Sequence, residues 1–221
     1  MRCGMRDVKF AVFDMDGTLV DSMGYWLGVV DELLAMTLPG VELPPDVRRR
    51  VQTMGPARAG EYLSSLGIFP EGYTLDEEAG LAIMREHYAR DIEVRAGVRS
   101  LLDSLKAQGV RMGIATLTPR ALVDVCLKRH GLDGYFEFFY TSDEYPEGKS
   151  TTRIFLDAAS HFGTSPDNIW LFEDSLYSAM TAKSLGMRVA ITEDGEQREH
   201  FAALYEIADA YFKNGFLDRI K

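Results

Sequence analysis

Val8-Lys9-Phe10-Ala11-Val12-Phe13-Asp14-Met15-Asp16-Gly17-Thr18 is the stretch on which the fold turns. An apolar run rich in β-branched and aromatic side chains stops abruptly at two carboxylates and a glycine, the pattern of a buried strand running into a polar loop. Short apolar runs of the same kind recur at 110–115, 138–140, 169–172 and 188–191. Helical periodicity fills the intervals, at 98–108, 120–129, 151–162, 175–185 and 197–206. Strands and helices alternating at this spacing imply right-handed crossovers, and therefore an α/β fold with a doubly wound parallel sheet covered on both faces.

The interval from 22 to 93 breaks that rhythm. It shows helical periodicity around 25–36, 57–66 and 75–90 but no convincing strand, and its connections at 38–45 and 67–72 hold much of the proline and suit loops. The expected division is a core formed by 1–21 and 94–221, with an inserted helical module at 22–93. The chain's 221 residues are ample for this, and 46% hydrophobic with 26% charged residues is an ordinary globular composition.

Net charge and cysteine content narrow the function classes. A formal charge of −10 repels phosphate backbones and anionic lipid, so neither nucleic acid nor a membrane is an expected partner. A small anion needs only a local electropositive site, which the global charge does not forbid. Cys3 and Cys126 cannot form a disulfide framework or a four-ligand zinc site. The opening residues 1–7 are charged and lack a signal peptide's apolar core, and no stretch is long and uncharged enough to span a bilayer. The expected location is the cytoplasm, and the expected state a monomer or small homo-oligomer.

Asp14 and Asp16 stand two residues apart just past a strand, so in extended conformation both face one pocket while Met15 faces away. Paired acids attract a divalent cation. Gly17 allows close backbone approach to a ligand, and Thr18 adds a hydroxyl near a prospective phosphate. An Asx-turn explains one aspartate equally well, but a second acidic strand end lies far downstream in Trp170-Leu171-Phe172-Glu173-Asp174-Ser175. Asp174 there can complete a Mg²⁺ site or, as the alternative, cap the helix that follows. Thr116 offers a hydroxyl at another strand end, and Lys149 follows the run at 138–140. A hydroxyl, a lysine and a metal converging on one point would neutralise a phosphoryl group.

With these residues in place, the chain resembles haloacid dehalogenase superfamily hydrolases of the phosphatase type, similar to phosphoglycolate-phosphatase-like and β-phosphoglucomutase-like members over nearly its full length. The resemblance implies a Rossmann-like core with a helical cap, Mg²⁺ as cofactor and a small phosphorylated metabolite as substrate. It makes Asp14 the nucleophile that becomes aspartyl-phosphate, and Asp16 the general acid and base that also lends its main-chain carbonyl to Mg²⁺. Thr116 matches the second motif, Lys149 the third, and Glu173 with Asp174 the acidic fourth. Gly17, Thr18, Thr116 and Lys149 would hold the phosphate; Asp14, Asp16, Glu173 and Asp174 the metal. The chain departs from the family where Ser150-Thr151-Thr152-Arg153 replaces the common Pro-x-Pro-Asp after the lysine, and where Ser178 replaces a common glycine.

Within the cap, Met54-Gly55-Pro56-Ala57-Arg58 resembles a loop that places an arginine on a second substrate phosphate, and Arg58 matches that arginine; a solvated arginine at a helix start is the alternative. Trp26 stands where the mutase has a histidine, and no lysine occurs between Lys9 and Lys106. Both absences favour a phosphatase over a β-phosphoglucomutase-like phosphomutase. A non-enzymatic phosphate-binding regulator is the least expected reading, since every catalytic position is filled. Arg48-Arg49-Arg50 reads as a solvated helix face, and Cys126 as core. Tyr25 and Trp26 suit either cap core or a substrate-facing wall.

Overall fold

Apolar runs buried on both faces pair side by side, because only a sheet satisfies their backbone groups away from water. A computed structural model describes residues 8–52, 54, 56–69 and 74–221. Each apolar run becomes a strand: β1 (Phe10–Phe13), β2 (Arg111–Ala115), β3 (Phe139–Tyr140), β4 (Ile169–Glu173) and β5 (Arg188–Thr192). A sixth strand, β6 (Ala210–Phe212), was not expected from the sequence. All pairings are parallel, in the order β3-β2-β1-β4-β5-β6. The strand order reverses at β1, whose two neighbours are β2 and β4, and ligands of such sheets bind outside the carboxyl ends at the reversal.

Helices α5 (Val98–Ala107), α6 (Arg120–His130), α7 (Arg153–Phe162), α8 (Leu176–Ser184) and α9 (Phe201–Ile207) connect the strands. In α5, Val98, Leu101, Leu102 and Leu105 form the buried stripe at helical spacing. Val12, Ala115, Phe155, Leu171, Ala179 and Ile191 share one packed core, and Phe13 stacks on Phe172 with ring centroids 4.2 Å apart. Burying each such Phe or Leu contributes about 1.5–3 kcal/mol. Part of the expected helix at 197–206 is instead a 3₁₀ turn over Gly195–His200, where Asp194 accepts from the Glu196 N–H at 2.9 Å. None of the turn's residues is buried, so no apolar stripe draws it into an α-helix.

The chain divides into two compact units, the described residues up to Asp21 with Glu93–Lys221, and Ser22–Ile92. The second unit is helical: α1 (Met23–Thr37), α2 (Pro45–Gln52), α3 (Pro56–Ser65) and α4 (Glu77–Arg90). Periodicity does not single out α2, and Pro45 falls in a stretch whose composition suits a loop. The proline opens the helix, at a position where its missing N–H costs nothing. Val47 and Val51, four residues apart, anchor α2 inward, and Arg48-Arg49-Arg50 faces solvent. Asp76 caps α4, accepting from the N–H groups of Glu78 and Ala79 at 2.9 and 3.3 Å. No described helix is long and apolar enough to cross a membrane.

Candidate active site

Register brings the two acidic strand ends together. Phe13 pairs with Ile114 on one side and Phe172 on the other, so the next residues, Asp14, Ala115 and Glu173, lie level across three strands. The Asp14 N–H donates to the Phe172 carbonyl at 2.9 Å and continues the ladder one step beyond β1. The chain then turns sharply. Leu19 and Val20 both donate to the Met15 carbonyl, and Gly17 adopts φ +79°. A Cβ at Gly17 would stand 2.5 Å from Asp174 Oδ2, so only glycine lets this loop approach the second acidic strand end. Met15 is fully buried, while Asp16 is partly exposed.

Lys149 completes the group from a 3₁₀ turn over Gly148–Ser150. Gly148 has φ +68° and passes so close to Leu117 that a Cβ would meet its Cδ2 at 2.7 Å. Beyond that turn Lys149 Nζ donates to Asp14 Oδ1 at 2.5 Å and to Glu173 Oε2 at 2.8 Å. The three side chains are almost wholly shielded from solvent. Lys149 makes these contacts with Ser150-Thr151-Thr152-Arg153 following it. Glu173 is held on both oxygens: Oε1 accepts from the Ser175 N–H and hydroxyl at 3.1 and 2.5 Å, and Oε2 accepts from Lys149 and from the Ser178 hydroxyl at 3.1 Å. Ser178, the other departure from the family, is thus a buried donor to the acid that positions the lysine.

Three carboxylates, Asp14, Glu173 and Asp174, offer oxygens within 4.8 Å of one another. Burial pushes the Asp14 carboxyl up to about 8; Lys149 pulls against this, while Glu173 and Asp16 add to the rise. Asp174 is held well above the usual carboxylate range by burial first, then by Glu173 and Asp14. Burial disfavours charge on Lys149, but Asp14 and Glu173 outweigh it and keep the ammonium well above its ordinary range. The cluster is short of positive charge. Its all-oxygen donors suit a hard divalent cation, which would relieve the repulsion, so the residues present fit a metal.

Of the other expected residues, Thr18 joins this cluster. Thr18 Oγ1 donates to Asp174 Oδ1 at 3.4 Å. Thr116 is buried just beyond β2, and its Oγ1 accepts from the Thr118 N–H at 3.2 Å. The Asp16 carboxylate is not part of the acidic trio; its Oδ2 accepts from the Thr118 hydroxyl. Arg58 is exposed on α3, and Gly55 of its loop lies outside the described residues, as does Cys3. Cys126 is buried as expected, and burial pushes its thiol up to about 12. Trp26 belongs to the packing of the helical unit: its indole N–H donates to Tyr88 Oη at 2.9 Å, across an edge-on ring contact.

The family model of haloacid dehalogenase-like hydrolases matches residues 8–186. This chain belongs to that family. It is 30% identical over 213 residues to the phosphoglycolate phosphatase of Rhodospirillum rubrum, covering 90% of this chain and 86% of that one. It is 26% identical over 200 residues to hexitol phosphatase B of Escherichia coli strain K12, covering 83% and 82%. The crystal structure of CbbY from Rhodobacter sphaeroides in complex with phosphate superposes with a TM-score of 0.74 at 21% identity, over 96% of each chain. That likeness confirms the haloacid dehalogenase fold.

Two residues near the site of this haloacid dehalogenase-like hydrolase escaped the sequence reading. Thr118 carried no signal, because its partner Asp16 is 102 residues away. Tyr177, in the first turn of α8, lies in electrostatic reach of Asp14, Lys149, Glu173 and Asp174, and an aromatic residue at that place looked like any other helix residue.

Proposed function

We propose that the protein is a Mg²⁺-dependent phosphatase that hydrolyses a small phosphorylated metabolite, a sugar phosphate or similar, through an aspartyl-phosphate on Asp14. The observation that carries this reading is the buried contact of Lys149 Nζ with both Asp14 Oδ1 and Glu173 Oε2, with Asp174 beside them at the reversal of the sheet. A carboxylate held against an ammonium at the mouth of a parallel sheet is suited to attack a phosphorus whose oxygens the same ammonium neutralises. Kinship with enzymes named phosphatases points the same way.

In the first half-reaction an Asp14 oxygen bonds to phosphorus. The bond from phosphorus to the ester oxygen breaks with its electron pair on that oxygen, which takes a proton from Asp16 and leaves as an alcohol. In the second, water bonds to phosphorus and gives its proton to Asp16, and the bond to Asp14 breaks to restore the carboxylate. Lys149 and the Thr116 and Thr18 hydroxyls hold the phosphoryl oxygens, and the Gly17 backbone admits them. Asp14 and Asp174, with the Asp16 main-chain carbonyl and Glu173, would hold Mg²⁺, which supplies positive charge for the transferring phosphoryl group when bound. Glu173 also positions Lys149.

Under this reading the core is 1–21 with 94–221, and the helical region 22–93 is the cap that selects the substrate. Arg58 takes a second anionic group when the substrate has one. The indole N–H of Trp26 is taken up by Tyr88, which leaves it no part in orienting a sugar hydroxyl; this favours hydrolysis over phosphomutase chemistry. The enzyme acts in the cytoplasm as a monomer or small homo-oligomer.

The test is a phosphomonoester panel with Mg²⁺: 2-phosphoglycolate, sorbitol 6-phosphate, glycerol 3-phosphate, β-glucose 1-phosphate and 4-nitrophenyl phosphate. Phosphate release is expected from at least one alkyl phosphate, to vanish in EDTA and to return with Mg²⁺. Asp174→Ala should raise the Mg²⁺ requirement or eliminate activity. Full turnover in chelator would sink the metal-dependent reading, and conversion of β-glucose 1-phosphate to glucose 6-phosphate without phosphate release would replace the phosphatase by a mutase.

A further inference from the structure

Thr118 is buried in the loop between β2 and α6, immediately before Pro119, which restricts its backbone to extended conformations. Two hydrogen bonds leave it in different directions. Its N–H donates to Thr116 Oγ1 at 3.2 Å, and its hydroxyl donates to Asp16 Oδ2. A hydroxyl oxygen that accepts from a backbone N–H has its own proton directed elsewhere. Thr116 is therefore set to donate, as a hydroxyl facing phosphoryl oxygens must. A carboxylate with one oxygen held by a fixed donor has a more sharply defined plane and rotamer.

We infer that Thr118 is a positioning residue for proton transfer: it fixes the Asp16 carboxylate so that its proton reaches the leaving oxygen, and it orients the Thr116 hydroxyl in the same step. The inference rests on the phosphatase reading above and adds a residue to it. The backbone of Asp16 is already held, since the Gly17 N–H donates to the Val20 carbonyl at 2.9 Å and Asp16 bridges to Val20. The backbone pins the residue, and the Thr118 hydroxyl gives its side chain a fixed donor. Thr118 acts through Asp16 and Thr116.

The proton matters only when the leaving oxygen needs one. An alkoxide does; 2,4-dinitrophenolate is stable as the anion and departs unprotonated. Single-turnover rates of leaving-group release, with enzyme in excess, therefore separate the role of Thr118 from a general loss of structure. Thr118→Val keeps shape and removes the hydroxyl, Thr118→Ser keeps the hydroxyl, and Thr118→Ala serves if valine does not fold. On the best alkyl phosphate of the panel, Thr118→Val is expected to slow release about 10- to 100-fold, within what general acid catalysis supplies, with the substrate concentration for half-maximal rate little changed. On 2,4-dinitrophenyl phosphate the loss should be less than about threefold, and Thr118→Ser should recover most of the alkyl rate. In an Asp16→Asn background, adding Thr118→Val should cost little more, because the group it positions is already gone.

Equal losses on both substrates, or full additivity with Asp16→Asn, would overturn the positioning role while leaving the phosphatase reading intact. A wild-type enzyme that turns over no phosphomonoester would overturn both.

Discussion

The α/β unit and the helical unit treat charge in opposite ways. In the α/β unit Asp14, Lys149, Glu173, Asp174 and Asp194 are buried, and the first four gather where β1 and β4 end. Among the described residues of the helical unit, the buried side chains are apolar or aromatic apart from Ser22 at its edge. Val30, Leu33, Leu63, Met84 and Tyr88 make its core, while its charges pair on the surface, as Arg48 does with Asp31 and Arg90 with Glu86. Burying a charge costs several kcal/mol unless partners satisfy it, so a cluster of buried charges marks a place where chemistry outranks stability. A unit whose core is packing alone can change its surface without disturbing that chemistry.

The sharpest way to break this contrast is Asp14→Asn. If Asp14 is the nucleophile proposed above, the substitution should lower turnover by about 10⁴-fold or more. The metal-free protein should nevertheless melt no lower than wild type, because the amide relieves a carboxyl that burial already pushes up to about 8. Phosphate-release rates and thermal melts in EDTA check both parts. Retained turnover, or a large fall in Tm, would show that Asp14 is there for structure.

A smaller effect is expected from Ser178→Ala. It leaves Glu173 with Lys149 and Ser175 as donors, and loss of one hydrogen bond to a charged group costs about 1.5–3 kcal/mol at most. The mutation should lower kcat several-fold while KM holds. A KM effect with unchanged kcat would place Ser178 in substrate binding instead of in the support of Lys149.

The smallest effect lies in the helical unit. His87 offers Nδ1 to Asp91 at 2.8 Å and Nε2 to Glu32 at 2.9 Å, tying α4 to α1. Burial works against its charge, but the bonds to Asp91 and Glu32 prevail and raise its pKa above 6.5. A raised folded pKa gives stability that is full below about pH 6.5 and is lost as pH rises through the folded value. His87→Gln should therefore flatten the dependence of Tm on pH above that point and leave kcat unchanged. An unaltered slope would assign the pH dependence to other groups.

Legibility followed the range of the interactions. The strands, the crossovers and the helical interruption could be read because hydrophobic periodicity and glycine or proline punctuation are local. Asp14, Lys149, Glu173 and Asp174 could be read because each stands at the end of an apolar run or shortly after one, and the resemblance assigned their roles. The strand β6 was missed because three residues carry no period and become a strand only against β5. The helix α2 was missed because two valines in eight mostly charged and polar residues make a weak stripe. Ser178 was legible only as a departure from the family, and Thr118 not at all.

By itself the sequence determined a parallel α/β sheet with acidic strand ends and a helical insert, since those follow from which side chains prefer burial and which cannot tolerate it. Only the tertiary structure decided that Lys149 reaches Asp14 across 135 residues, that Ser178 supports Glu173, that Trp26 bonds within its own unit, and that Thr118 holds Asp16. The reason is physical: a hydrogen bond depends on an ångström and an angle, and these are set by strand register and loop closure, which no single segment of chain contains.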